Sequence, residues 1–532
     1  MEQKNCRNCE AKFKITDGDL VFYKKMNVPA PKTCPRCRLV RRLNERNAKT
    51  LYSRKCDATG KMIISQFRPD APFPVYEQNF WWGDDWDPLD YGQDFDFSRP
   101  FFEQFTELRN KVPQMSLFVI NETLENSEYT NCTGYLKNCY LIGEADYDED
   151  CYFSNRIFHS KNIMDCSTVS DCELCYDCID CAKCQRLFYS QECRSCHDSY
   201  FLQDCVSCQD CIGCINQRQK KFMIFDRQYR QKEYERLKAD MHLETREGVE
   251  NLRTKCEDFF KSHPQVNVHE EQTQNCSGDH LYNSKNSDVC FDCSGLEDCK
   301  YCSRLIGPVK SCMDYSSWGD RAELIYQCVS CGDGVYNLKF CSNCTTNNSN
   351  LEYCYQCTGC DECFGCTSLK RKKFCILNKQ YSEAEYRKLK ARIVSHMRET
   401  GEYGDFFPKD FCPHGYNTTL AMDEFPLSRE EALAQGWRWS EPIEINSRGE
   451  IICECGKSFN FIPQELAFYE RLRVPAPETC QLCRHKARQE KRSRIKLWDK
   501  ACDKCGENMK TSIPPDDERL IYCKACYLKE VY

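Results

Sequence analysis

The sequence predicts a multi-domain, mainly β protein. Small cysteine-turn modules at both ends flank a duplicated, cysteine-rich array of parallel β-solenoid type, with a helix after each copy. Three observations predict it. Closely spaced cysteine pairs stand at both termini, short apolar or aromatic patches recur every 10 to 15 residues through the middle, and the middle is written twice.

A chain of 532 residues exceeds what one core serves and implies three or more units. Lys plus Arg number 74 against 81 Asp plus Glu, a net charge of -7, which excludes a globally basic nucleic-acid binder but leaves local basic patches open. Mean hydropathy is -0.70, and no apolar run approaches the roughly 18 residues of a membrane helix, so no membrane partner is expected. The opening MEQKNCRNCEAKF lacks the apolar stretch of a signal peptide, so the expected compartment is the cytoplasm. In that reducing setting the 46 cysteines are expected as metal ligands or buried thiols, not disulfides.

The terminal modules come first. Cys6-x2-Cys9 is followed by Cys34-x2-Cys37, and Cys453-x-Cys455 by Cys480-x2-Cys483. From the second ligand onward the two segments align without gaps: Phe13 with Phe459, and FYKKMNVPAPKTC with FYERLRVPAPETC. Two tight turns that each offer a thiolate pair complete a tetrahedron around Zn2+. A module this small draws much of its folding free energy from the metal. A third set, Cys502-x2-Cys505 with Cys523-x2-Cys526, follows directly. Its N-terminal counterpart, RKCDATGK, keeps Cys56 where KACDKCGE has Cys502 but has Thr59 in place of Cys505, and no second pair follows near Val75. No zinc is expected there, and Cys56 reads as a remnant or buried thiol.

These ends resemble the zinc-ribbon family with the pattern CxxCG…F…FY…P.RC..CR, over about 40 residues each, and the whole chain resembles multi-ribbon proteins of candidate-phyla bacteria. The resemblance implies Zn2+ as the cofactor. Two departures stand out: Cys453-x-Cys455 is one residue tighter than the usual knuckle, and Glu10 takes the place of the knuckle glycine that Gly456 keeps.

A basic stretch without Pro or Gly follows each second knuckle and reads as a helix: Arg38, Arg41, Arg42 and Arg46 in one, Arg484, Lys486, Arg488 and Arg492 in the other. Guanidinium forks match phosphate oxygens, so contact with RNA or DNA is one expectation. The other is a solvated face, or pairing with acidic groups of this same chain.

The duplicated middle runs from about Asn126 to Arg398. CVSCQDCIGC from Cys205 answers CTGCDECFGC from Cys357, and Cys208, Cys211 and Cys214 align with Cys360, Cys363 and Cys366. Each copy ends in a short strand, KFMIF or KFCIL, and a charged helix, the second opening with the capping-box pair Ser382 and Glu385. Asn, Asp, Ser and Gly fill the gaps between apolar patches, as turns between stacked rungs require. Cys172, Cys175, Cys178, Cys181 and Cys184 form an unbroken C-x2-C series, and neither Cys205–Cys214 nor Cys357–Cys366 continues with the x3-C-P ending of a ferredoxin run. The central cysteines are expected first as small buried hydrophobes, with extra zinc sites between rungs as the alternative.

The segment 67–110, with Trp81, Trp82 and Trp86, is expected to pin a loop against its own domain. PLSREEALAQGW reads as a helix with Ser428 as N-cap, Glu431 at N3 and Gly436 just beyond its end. The expected segments are therefore a ribbon (1–50), a degenerate ribbon with an aromatic and acidic connector (51–115), the first array with its helix (116–242), a linker (243–275), the second array with its helix (276–400), a connector (401–450) and two ribbons (451–496 and 497–532). No GxGxxG, Walker, HExxH or GxSxG pattern occurs, and no catalytic residue is assigned. His197 and His485 stand beside cysteines but are not needed to complete a set. The function expected is a zinc-binding scaffold whose ribbons engage nucleic acid or protein. A metal-dependent enzyme or a thiol-rich metal store using the array is the alternative.

Overall fold

A computed structural model describes the chain except for residues 171–175, 177, 180–183, 318, 320, 321, 344, 442–450 and 532. The fold is mainly β, 26% helical, with a cysteine-rich β-solenoid of about 20 turns in the middle and cysteine tetrads at both ends. The chain forms two compact units, each built from two separate stretches: Met1–Leu117 with His269–Glu441, and Phe118–Val268 with Pro442–Tyr532.

The coil is set by a three-residue repeat. Cys139, Ile142, Ala145, Asp148, Cys151 and Ser154 point inward and are buried. The residue before each of them (Asn138, Leu141, Glu144, Tyr147, Asp150, Phe153) has φ between 50° and 62°. A left-handed residue at every third position turns an extended chain by a corner, and four such triplets close a square coil. The pairing register agrees. Thr130 lies opposite Ile142, Asn155 opposite Ser167, and Gln185, His197, Gln209 and Lys221 follow one another at steps of 12. In the other unit the step is 12 at Gly278–Cys290 and 13 at Leu296–Val309 and Met313–Tyr326. The C-x2-C series is thus the inward period itself, although most of its own residues (Cys172, Cys175 and Cys181) lie outside the described ones.

A coil this narrow admits only small or slim side chains on its axis, and it must still satisfy backbone groups at its corners. Serine and cysteine do both. Ser154, Ser190 and Ser199 accept the backbone N–H groups of Cys166, Leu202 and Cys211, one coil on, at 3.0, 2.9 and 3.0 Å. The thiols of Cys139 and Cys151 point at the carbonyls of Asp148 and Ser160, both at 3.5 Å. At the corners, where positive φ disfavours most side chains, Asn and Asp are the best tolerated. Asn126, Asn138 and Asp150 form a ladder of amide bonds at 3.1 Å, and Asn337 bonds Asn350 at 2.8 Å. Tyr135, Tyr147 and His159 occupy another corner column and stack at ring separations of 4.4 and 4.9 Å.

Helices follow both solenoid stretches. Gln231–Ala239 has no side-chain cap, whereas Glu383–Glu399 carries the full Ser382/Glu385 capping box. The aromatic segment packs within its own unit. Helix Phe101–Lys111 lays Phe101 against Tyr353 and Phe364, and Phe105 against Phe407 and Phe411. Trp81 is buried and donates to the Pro113 carbonyl at 3.2 Å, Trp86 donates to Trp81, and Trp82 stays 44% exposed. Helix Arg429–Ala434 is capped by Ser428 and Glu431, and Gly436 follows it at φ 76°.

Candidate metal centres

Each terminal module places two cysteines on a hairpin turn and two at the start of a helix. In the first, strands Glu2–Asn5 and Lys12–Ile15 pair antiparallel and their turn carries Cys6 and Cys9. Helix Asp17–Lys25, held at its start by a Thr16/Asp19 capping box, leads round to helix Pro35–Asn44, whose N-cap is Cys34 and whose first turn holds Cys37. The second module repeats this with strands Ile451–Ile452 and Ser458–Phe459, helix Pro463–Leu472, and helix Gln481–Lys491 with Cys480 as N-cap. The third uses hairpin Trp498–Ala501/Asn508–Thr511, strand Leu520–Tyr522 and helix Lys524–Val531.

The ligand atoms of Cys6, Cys9, Cys34 and Cys37 lie within 4.8 Å of one another, as do those of Cys453, Cys455, Cys480 and Cys483 and those of Cys502, Cys505, Cys523 and Cys526. Sulfur–sulfur distances are 3.8 Å for Cys9–Cys34, 3.7 Å for Cys453–Cys483, 3.8 Å for Cys455–Cys480 and 3.8 Å for Cys505–Cys523. A tetrahedron of sulfurs bonded at about 2.3 Å to a central zinc has edges of about 3.8 Å, so the residues fit such an ion. Backbone N–H groups reach one sulfur of each set. Backbone N–H groups of Cys34, Cys480 and Cys523 point at the sulfurs of Cys6, Cys453 and Cys502 at 3.2, 3.3 and 3.2 Å. The N–H groups of Cys455 and then Cys480 draw the Cys453 thiol down to about 6. Cys9, Cys455 and Cys505 are exposed, which gives an ion a route in. The tighter Cys453-x-Cys455 turn still closes its tetrad.

The degenerate module keeps the shape without the sulfurs. Hairpin Tyr52–Lys55/Met62–Ser65 is formed, and the Glu77 N–H points at the Cys56 sulfur at 3.3 Å, as that of Cys523 does at Cys502. Cys56 is buried, and Phe67, Phe73 and Val75 form a small core in this region.

Six of the eight basic residues considered for phosphate contact turn inward: Arg38, Arg42, Arg46, Arg484, Arg488 and Arg492 are buried. Spacing of four residues puts Arg38 and Arg42 on one helix face, and that face meets the solenoid. Arg38 pairs with Asp314 at 2.6 Å, and Arg42 pairs with the same carboxylate at 3.2 Å and donates to Ser316 at 2.8 Å. In the other unit Arg484 pairs with Asp165 and Glu465, both at 2.8 Å, and Arg488 with Asp165 at 3.0 Å. Burial works against the charge on Arg38 and Arg484, but the aspartates more than offset it and hold both above their ordinary range. Arg41 is half-buried and donates to the Phe406 carbonyl at 3.3 Å, and Lys486 alone of the eight is exposed. Arg38, Arg42, Arg484 and Arg488 thus pair with this chain's own acids. Asp165 and Asp314 carry no sequence signal that separates them from the other carboxylates. Of the two histidines, His485 is buried near Asn155, and His197 opens strand His197–Tyr200.

No protein-family model, curated protein or solved structure matches this chain. The class rests on the fold and the sites: a cysteine-rich β-solenoid with terminal cysteine tetrads that fit a metal ion. Among the described residues, no helix is long and apolar enough to cross a membrane.

Proposed function

We propose that this chain is a zinc-stapled interaction scaffold of the cytoplasm, its ends belonging to the zinc-ribbon type and its two halves arising by internal duplication. Zn2+ held by each of the three tetrads closes a ribbon, the ribbon helices clamp the solenoids through buried Arg–Asp pairs, and the solenoid faces serve protein partners. One observation carries the reading: each tetrad supplies four sulfurs to a single point and leaves no ligand position open. A catalytic zinc keeps one position for water or substrate, whereas four thiolates make a closed structural site. Protein partners are favoured over nucleic acid because the arginines that would grip phosphates are engaged inside and the net charge is -7.

Elemental mass spectrometry of protein purified under reducing conditions tests this. About three zinc ions per chain are expected from the count of tetrads. Their removal by a chelator should unfold the ribbons. Zinc content well below three, iron in its place, or tight nucleic-acid binding that falls steeply with salt would overturn the reading.

A further inference from the structure

Inside the solenoid of the unit that contains residue 1, Cys299, Cys302 and Cys312 are all buried, and their sulfurs lie within 4.8 Å of one another. Cys312 is 3.5 Å from Cys299 and 3.6 Å from Cys302. Among the described residues this is the one all-thiol group of three outside the terminal tetrads. It sits where the coil lengthens: the inward series Cys299, Cys302, Leu305 resumes at Val309 instead of one position earlier, and Gly307 takes φ 104° in the extra segment.

Buried cations stand near the cluster. Two buried guanidiniums, Arg38 and Arg42, share the single carboxylate of Asp314, and Arg42 is near enough to Cys302 to feel its charge. Lys300 is occupied by Asp19 and Asp288 at 2.9 and 3.3 Å. Arg38 and Arg42 thus share one carboxylate beside the thiols. The other unit supplies a control. There Arg484 and Arg488 face two carboxylates, Asp165 and Glu465. The residues that stand to Asp165 as the three cysteines stand to Asp314, one coil step back, are Cys151, Ser154 and Ile163. Among the described residues the other unit has no such thiol triplet, and its two arginines have a second carboxylate, Glu465.

We propose that Cys299, Cys302 and Cys312 bind one soft, closed-shell monovalent ion of the copper(I) class in a three-sulfur site within the solenoid, with Arg42 offsetting its negative charge. Thiolates select such ions, and zinc in structural sites takes four ligands where this cluster presents three. Three sulfurs bonded at about 2.3 Å to one ion lie at most about 4 Å apart, close to the spacing here. Uptake forms three sulfur–metal bonds and releases the three thiol protons to solvent, with no change of oxidation state.

Full-length protein with its tetrads zinc-loaded is dialysed without oxygen against copper(I) buffered by a chelator, and copper per chain is counted. Wild type should hold one ion more than Cys312→Ser, while Cys151→Ser should match wild type. Serine already lines the same interior at Ser284 and Ser287, so the substitution suits the coil. Should Cys312→Ser not fold, wild type answers alone: copper should protect Cys299, Cys302 and Cys312, but not Cys151, from alkylation in mild urea, as read by peptide mass. Equal copper counts in wild type and Cys312→Ser, or alkylation of the three thiols unaffected by copper, would overturn the site.

Discussion

Glu10 holds φ 60° at a knuckle position where Gly60, Gly456 and Gly506 hold 71°, 82° and 76°. Glycine adopts this region without penalty and glutamate does not, so Glu10→Gly should stabilise the first ribbon by about 1 kcal/mol, read as a raised melting temperature of the zinc-loaded protein. A decrease would mean that the Glu10 side chain contributes more than its backbone costs. Asp148 is the second residue out of place. It points into the coil, where one oxygen accepts the Ser160 N–H at 2.7 Å and the other has no hydrogen-bond partner. Burial pushes its carboxyl up to about 9. Between about pH 4 and pH 9 the unfolded chain ionises this group freely while the fold keeps the proton, so its contribution to stability is present at low pH and lost as pH rises. Asp148→Asn should remove that slope and gain at least about 1 kcal/mol at pH 8, measured as unfolding midpoints across pH. At this scale the twelve cysteines of the terminal tetrads were legible because their close pairing follows what a four-thiolate site requires. Asp148, Asp165 and Asp314 were not, because a carboxylate's burial depends on which coil lies above it.

Among the elements, the ribbon helices were read correctly as helices and their arginines as open to two readings. The i, i+4 spacing was visible, but the element meeting that face was not. Removing Asp165 leaves Arg484 with Glu465 alone and takes from Arg488 its one ion-pair partner among the described residues. Asp165→Asn should therefore cost about 3–5 kcal/mol, the range for breaking a buried ion pair from one side. The expected signature is early unfolding of the C-terminal ribbon in hydrogen exchange. Unchanged protection there would show that Asp165 does not anchor the helix. The solenoid was expected as patches every 10 to 15 residues, yet its physical unit is the triplet. The patches mix outward aromatics such as Phe153 with inward residues such as Ile325 and Leu338, whereas the inward positions recur at every third residue within a coil. Capping boxes at Ser382 and Ser428 could be read directly, since a box is completed within four residues.

At the scale of the molecule, a linear string of modules was the natural reading of the sequence. Along the chain the compact units instead alternate: the N-terminal module groups with the second solenoid stretch, and the C-terminal modules group with the first. Nothing local encodes this, because it depends on pairings such as Arg38 with Asp314 across 276 positions. A chain ending at Glu441 keeps both stretches of one unit and loses Pro442–Tyr532 from the other. Limited proteolysis of that truncation should spare Met1–Leu117 and His269–Glu441 and cut within Phe118–Val268. Equal resistance throughout would show that the first solenoid stretch needs no ribbon.

The interleaving has a temporal side. Synthesis runs from the N-terminus, and domains generally fold as they emerge. Here the N-terminal cysteine module leaves the ribosome long before the coils that hold its arginines exist, and the first coils must wait for Pro442–Tyr532 before the module that packs on them arrives. During that wait Asp165 lacks its cations and the outward aromatics at Tyr176 and Phe188 lack the cover of Phe468 and Tyr469. The nascent protein is thus an unfinished surface for most of its translation, and that interval is when a chaperone or an early zinc supply would matter most.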